Sequence, residues 1–151
     1  MKKKNMGNYL GKFFLMFIWI TFVGCSSYQT VSNVRMPYTE LRSLVVKNLP
    51  LGLRRESANG RTLESNYFSP TKLDEDAHDK RMRAYAEVVI NGSSRPYEVK
   101  LRVVKEQRIE NGAYESLGED ANLSTKLKTF FEDLLANRPD RRNIIDDFRV
   151  F

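Results

Sequence analysis

The sequence predicts an α+β domain, a two-layer sandwich in which an antiparallel sheet of about four strands is covered by an N-terminal helix and a longer C-terminal helix. Residues 81–90 and 97–103 alternate between apolar and polar side chains, which is the period of a strand with one buried face. Residues 37–49 and 119–137 instead carry apolar residues at helical spacing. Because an antiparallel sheet with one apolar face needs a cover, both helices are expected to pack on that face.

The first 24 residues have the parts of a cleaved secretory signal peptide. Lysines at positions 2, 3, 4 and 12 precede an apolar run, Phe13–Val23, and the small residue Gly24 closes it. The run is 11 residues long, so as a helix it would rise only about 16 Å, against about 30 Å of hydrocarbon in a bilayer. It is therefore too short for a permanent transmembrane span, and residues 1–24 are expected to be removed.

Phe22, Val23, Gly24 and Cys25 resemble the lipobox of bacterial lipoproteins. The resemblance implies that a diacylglycerol is attached to the Cys25 thiol, that the chain is cleaved between Gly24 and Cys25, and that the new amine of Cys25 is acylated. Cys25 is the chain's single cysteine, which excludes an internal disulfide. The alternative is an ordinary signal peptide whose cysteine is incidental.

Acylation would decide where the mature chain resides. Each buried methylene contributes about 0.8 kcal/mol, so two or three acyl chains hold a protein durably on a membrane. Ser26 stands where the lipoprotein family's inner-membrane retention signal has aspartate. The resemblance therefore implies a lipid-anchored protein of the cell envelope, and it favours the outer membrane over the inner membrane.

The mature chain is nearly neutral. Loss of residues 1–24 removes four of the 25 basic residues and none of the 19 acidic ones, which lowers the formal net charge from +6 to +2. A balance this small predicts no nucleic-acid partner. Residues 25–36 are polar without a sustained period and are expected to form a lipidated flexible tether, followed by one domain at 37–139 and a tail at 140–151.

The first half of the domain is expected to contain a helix and a hairpin. Pro37 and Pro50 bound the helix at 37–49. Residues 51–68 are expected to form a hairpin whose three-residue loop, 58–60, has Gly60 in a left-handed conformation. That loop pairs Leu51 with Tyr67 and Arg55 with Leu63, which gathers the apolar side chains on one face.

Residues 69–80 are expected to form a long solvated loop, since acidic residues surround His78. Carboxylate oxygens such as these are suitable ligands for calcium. The alternating ligands and the bend-forming glycine of a calcium loop are absent, so no metal site is predicted.

The second hairpin carries the clearest pattern. Even-numbered residues from Met82 to Ile90 and odd-numbered residues from Tyr97 to Val103 are apolar, and turn residues lie between the two runs. Opposite charges meet on the outer face if Ile90 pairs with Tyr97, Glu87 with Lys100 and Arg81 with Glu106.

The last part of the domain is expected to hold a turn and the long helix. Residues 108–118 are rich in turn residues, with Tyr114 and Leu117 as possible core contacts. The helix at 119–137 begins near acidic residues and ends at Arg138 and Pro139. Apolar residues of the tail at 140–151 are expected to dock on the domain or on a partner. The order of helix, four strands and helix resembles, at fold level only, small domains of outer-membrane assembly lipoproteins such as the BamC-like family.

The mature chain offers few residues for catalysis. His78 is its one histidine and lies in a polar segment, and the lipoprotein resemblance implies that Cys25 is blocked by lipid. The sequence has no nucleophile elbow, phosphate-binding loop or pair of metal-ligating histidines. We therefore expect no enzymatic activity, no catalytic residue and no cofactor.

The leading functional hypothesis is a non-enzymatic binding or scaffold lipoprotein that presents its sheet to an envelope partner. Arg83, Tyr85, Lys100 and Arg102 are expected to form a basic and aromatic patch on the outer face, suited to an acidic protein or polymer. The competing interpretation of this patch is an ordinary solvated sheet face. Two other functions stay open: a carrier of an apolar ligand between sheet and helices, and a hydrolase that uses only carboxylates.

The lipid anchor can be tested by replacing Cys25 with serine. Because serine has no thiol to receive the diacylglycerol, Cys25→Ser should lose palmitate labelling and move from the membrane fraction to the soluble fraction. The check is metabolic labelling followed by fractionation, with Ser27→Ala as the control that keeps the anchor. Unchanged labelling of Cys25→Ser would remove the lipid anchor from consideration.

Overall fold

In the computed structural model, which describes residues 28–137, eight strands form one antiparallel sheet and two helices accompany it. The elements are, in chain order, β1 (Gln29–Val34), α1 (Tyr38–Asn48), β2 (Leu53–Glu56), β3 (Thr62–Ser65), β4 (Phe68–Ser69), β5 (Lys72–Asp76), β6 (Met82–Asn91), β7 (Tyr97–Arg108), β8 (Tyr114–Glu119) and α2 (Ala121–Ala136).

The centre of the sheet is the long hairpin of β6 and β7, which pairs from Met82 with Gln107 to Asn91 with Glu98. Each outer edge of this hairpin binds two short strands in succession. Along β7 these are β1 near the hairpin turn and β8 near the open end, and along β6 they are β3 and β4. Strand β2 extends β3, and β5 extends β4. The hairpin is therefore shared by two rows of five strands, β1-β7-β6-β3-β2 and β8-β7-β6-β4-β5.

The predicted two-layer α+β domain with a four-stranded sheet is wrong. Strands make up 44% of the described residues and helices 25%, so the chain is mostly β. The unpredicted strands lie in the expected tether (β1), in the expected solvated loop at 69–80 (β4 and β5) and in the expected turn at 108–118 (β8). These strands are short and several are polar at the sheet edge, so they lack the apolar alternation by which a half-buried strand is recognised. They form because the long hairpin presents unpaired backbone groups on both sides.

Both helices lie where their apolar spacing predicted them. Helix α1 buries Leu41, Leu44 and Val45, and α2 buries Leu127 and Phe131. These side chains join the apolar face of the sheet in one core. The Asp120 carboxylate caps α2 by accepting a hydrogen bond from Leu123 N at 3.0 Å. That bond, together with Lys105 at 3.2 Å, lowers the pKa of Asp120.

The inward residues of the central hairpin are confirmed, but its predicted register is wrong by two residues. Ile90 pairs with Val99 instead of Tyr97, and Tyr97 pairs with Val34 of β1. Because side chains alternate with a period of two, this shift keeps every side chain on its predicted face. The apolar residues of both strands are accordingly buried: Ala84, Ala86, Val88, Ile90, Tyr97, Val99, Leu101 and Val103. Only the charge partners on the other face change.

The first hairpin has the predicted left-handed Gly60, with φ of 69°, but not the predicted three-residue loop. Glu56 pairs with Leu63, which lengthens the loop by one residue. An irregularity next to Arg55 then restores the predicted register, so that Leu53 pairs with Ser65. Leu51 stays outside the core at 39% exposure, which contradicts its predicted place on the apolar face.

The predicted core contact of Leu117 is also wrong, since this side chain is 51% exposed. Leu117 belongs to β8, which pairs with the outer end of β7 and is exposed along most of its length. The predicted tail at 140–151 lies outside the described residues.

Candidate functional site

The face of the sheet opposite the helix-packed core carries a network of arginines, tyrosines and glutamates. We call this surface the open face. Its central positions alternate with the core residues of β6 and β7, so Arg83 lies opposite Glu106, Tyr85 opposite Val104 and Glu87 opposite Arg102. Strand β3 brings Glu64 beside Glu87, and β2 brings Arg55 beside Glu64. The same alternation that fills the core therefore collects charged and aromatic side chains on the open face.

Arg83 lies between two tyrosine rings. Its guanidinium carbon is 3.6 Å from the ring centroid of Tyr67 and 3.3 Å from that of Tyr114. Its Nε donates to Glu106 Oε2 at 2.8 Å, and its Nη1 donates to the His78 carbonyl oxygen at 3.2 Å. The side chain is only 11% exposed. Two cation–π contacts and a charge-assisted hydrogen bond thus hold this guanidinium in one orientation.

The two tyrosines that flank Arg83 join distant parts of the chain. Tyr114 on β8 donates its hydroxyl to the carbonyl oxygens of His78 and Lys80, at 3.0 and 2.8 Å. Tyr67, between β3 and β4, contacts the ring of Tyr85 edge-on with centroids 6.0 Å apart. The open face is consequently tied to the turn between β5 and β6 by side chains as well as by the backbone.

A second group of contacts surrounds the buried carboxylate of Glu64. Arg54 donates to its Oε2 at 2.6 Å, and Arg55 donates to its Oε1. The guanidinium of Arg54 also lies 4.3 Å from the Tyr67 ring centroid and 5.2 Å from that of Tyr85. Arg55 is the accessible member, with 70% of its side chain exposed. This group places a solvated cation beside the aromatic centre of the open face.

A third group binds the start of the described chain to the middle of the sheet. The Tyr28 hydroxyl donates to Glu87 Oε1 at 2.5 Å, and Arg102 donates to Glu87 Oε2 at 2.7 Å while stacking on the Tyr28 ring at 4.6 Å. Burial, followed by the hydrogen bond to Glu87, raises the pKa of Tyr28 to about 12. The neutral phenol is therefore the form that the folded chain stabilises.

The four predicted surface residues all lie on the open face, but their charged groups are paired with glutamates and most of the side chains are partly buried. Arg83 is paired with Glu106, and Arg102 is paired with Glu87 and only 25% exposed. Lys100 is 37% exposed and lies 3.7 Å from Glu98. Tyr85 is half-buried, and burial, with Glu64 adding to it, raises its pKa. The open face thus combines aromatic rings with charges that are mostly paired, and Arg54 and Arg55 share the single carboxylate of Glu64.

Sequence reasoning missed several members of this network. Tyr28 falls in the predicted tether, Tyr67 on the predicted apolar face of the first hairpin, and Tyr114 among the predicted core contacts. The sequence analysis predicts no role for Arg54 or Glu64. The apolar alternation that marks Arg83, Tyr85 and Arg102 could not have found Tyr28 and Tyr67, which lie outside the strands. Only the register between strands shows that these side chains meet.

The described residues contain no group of three or more histidines, cysteines, aspartates and glutamates that could hold a metal ion. The carboxylates of the open face are engaged by arginines: Glu64 by Arg54 and Arg55, Glu87 by Arg102 and Glu106 by Arg83. Each of these three carboxylates therefore already has a guanidinium partner within hydrogen-bond distance.

The predicted lipidation and cleavage residues, Cys25 and Gly24, lie outside the described residues. Within residues 28–137, no helix is long and apolar enough to cross a membrane. Comparison with protein-family models, curated proteins and solved structures found no match. The resemblances to bacterial lipoproteins and to the BamC-like family accordingly stay predictions.

Arg83 should contribute far more to stability than an exposed arginine of the same face. Arg83→Ala removes both ring contacts and leaves the Glu106 carboxylate partly buried without its partner, so we expect the free energy of unfolding to fall by about 2–3 kcal/mol. Arg83→Lys should recover only part of the loss, because an ammonium lacks the planar guanidinium. Urea unfolding at pH 7 measures both. Arg81→Ala, at an exposed position just before β6, is the control and should change stability by less than about 0.5 kcal/mol; equal losses for Arg83→Ala and Arg81→Ala would contradict the assigned role of Arg83.

The contribution of Tyr28 to the free energy of unfolding should decrease at alkaline pH. Because its folded pKa of about 12 lies above the ordinary value of 10.0, its contribution is complete below pH 10 and is lost as the pH rises toward 12. Tyr28→Phe removes the hydrogen bond to Glu87 and should cost on the order of 1 kcal/mol at pH 7. The difference between wild type and Tyr28→Phe should shrink between pH 10 and 12 in urea titrations. Ser32→Ala, at an exposed position of β1, should follow the wild-type profile, whereas a constant difference for Tyr28→Phe up to pH 12 would refute this assignment.

Proposed function

We propose that this protein is a membrane-anchored envelope lipoprotein that acts as a non-enzymatic binding or scaffold module, and that its open face is the surface that meets the partner. The single observation that carries the proposal is the arginine and tyrosine network on the sheet face opposite the helices. Lipidation of Cys25 would hold the module at the periplasmic face of the outer membrane.

The composition of the open face supports a role in protein recognition. Tyrosine and arginine are enriched at interfaces and among the residues that carry most of the binding energy. Side chains that are already held in one conformation lose little entropy on binding. Tyr67 and Tyr85 contact each other and Arg54, so this part of the face is organised before a partner arrives.

The charges around the aromatic centre favour a partner with acidic groups. Arg55, with 70% of its side chain exposed, and Lys100, with 37%, supply cations at the accessible parts of the face. Such rim charges steer association and select the sign of the partner's charge more than they add affinity. An acidic protein of the envelope fits this arrangement, and an acidic envelope polymer is the alternative within the same proposal.

Site-specific photocrosslinking in intact envelopes tests the proposed partner surface. A photoreactive amino acid at Lys100 should give adducts of defined higher mass, because Lys100 is an accessible side chain on the open face. Thr129, exposed on α2, is the matched control position and should give none. Mass spectrometry of the adducts identifies the partner.

Removing the most exposed cation sharpens this experiment. With the photoreactive amino acid at Lys100, the added substitution Arg55→Gln should lower the adduct yield several-fold, because the open face loses a largely solvated positive charge. Thermal unfolding should change little, since glutamine adds no second carboxylate beside Glu64 and Arg54 still pairs with that residue. Recovery of only monomeric protein from the Lys100 position would count against the proposal, and so would equal yields from Lys100 and Thr129.

A further inference from the structure

The chain has almost no spacer between the predicted lipid and the folded sheet. The sequence predicted a tether over residues 25–36, but β1 begins at Gln29. Cys25 and Tyr28 are separated by three peptide units, so their Cα atoms lie at most about 11 Å apart. A lipid on Cys25 would therefore hold the sheet close to the bilayer surface.

The first described residues belong to the rigid part of the molecule. Gln29 pairs with Leu101 of β7. Tyr28 is fixed by its hydroxyl bond to Glu87 and by the guanidinium of Arg102 on its ring. Because Tyr28 is fixed to the sheet, the residues after it cannot add length to the connection between Cys25 and the sheet.

The N-terminal end of the described chain joins the sheet at one of its edges. Strand β1 starts opposite Leu101, in the middle of β7, and β8 takes over the same edge of β7 from Val104 onward. Asp120 N donates to the Val103 carbonyl oxygen at 2.8 Å, which places the start of α2 at the same junction. The chain thus enters the sheet where β1, β8 and α2 meet.

We infer that this edge, formed by β1, the end of β8 and the start of α2, lies against the lipid headgroups of the membrane that holds the anchor. The inference rests on the proposed lipidation of Cys25. The opposite edge, at β2, is four strand spacings away, or about 19 Å. The β1 edge of the sheet is therefore nearest to the bilayer and the β2 edge farthest from it. The open face is then roughly perpendicular to the bilayer surface and faces partners that are themselves at the membrane surface.

Quenching by a headgroup-borne nitroxide tests this orientation. The full lipidated chain is reconstituted in phosphatidylethanolamine and phosphatidylglycerol vesicles that contain a lipid with a nitroxide on its headgroup. An introduced cysteine is the only free thiol, because lipid occupies that of Cys25, and it carries a fluorophore. Thr30→Cys on β1 should be quenched several-fold more than Ala58→Cys in the loop between β2 and β3. Ala121→Cys, exposed at the start of α2, is a second near position should Thr30→Cys fold poorly.

A spacer provides the matched control. About twelve Gly and Ser residues inserted between Ser27 and Tyr28 span about 20 Å on average, so they should bring the quenching at Thr30→Cys down to the level at Ala58→Cys. Flotation with the vesicles is measured first for each variant. Protein that floats but is quenched equally at both positions would overturn the orientation and leave the anchor in place. Protein that does not float would overturn the anchor and the orientation together.

Discussion

Backbone pairing in the long β6 and β7 hairpin is the constraint on which the rest of the structure depends. Ten consecutive residue pairs join the two strands, and this length leaves unpaired amide and carbonyl groups along both outer edges. Buried backbone groups of this kind must be satisfied. The chain satisfies them with two short strands on each side, which explains why β1, β3, β4 and β8 exist although few of them carry a strong strand pattern.

The two faces of this hairpin bury different kinds of side chain. The inner face carries small and β-branched side chains that pack against both helices. The outer face buries charge: Glu64 and Glu87 are only 5% and 8% exposed. A buried carboxylate is costly unless it is paired, and Arg54 and Arg102 supply the pairs while tyrosine rings cover the guanidinium groups. The network therefore pairs the buried charges, and the same side chains form the surface of the proposed recognition.

The N-terminal end of the described chain connects the fold to the proposed anchor. Tyr28 belongs to the network of the open face through Glu87, so the residue that precedes β1 is bonded to the middle of the sheet. A lipoprotein with a long tether can reach partners at many distances from the membrane. If Cys25 is acylated as proposed, a sheet that begins four residues later would instead present its surfaces at one height and in a narrow range of orientations.

The sequence by itself determined both helices, the core face of the central hairpin and the left-handed Gly60, because periodicity and backbone sterics act within a few residues of the chain. It also supplied the open-face positions of Arg83, Tyr85, Lys100 and Arg102, since a shift of two residues does not change the face. Only the tertiary structure decided that Arg83 meets Glu106 and that Tyr28, Tyr67 and Tyr114 meet the arginines. The predicted and the observed registers both bring opposite charges together, so charge matching could not separate them. The register must also suit the turn between the two strands and the pairing of Tyr97 with Val34 of β1, and the side-chain pattern along β6 and β7 contains no information about either.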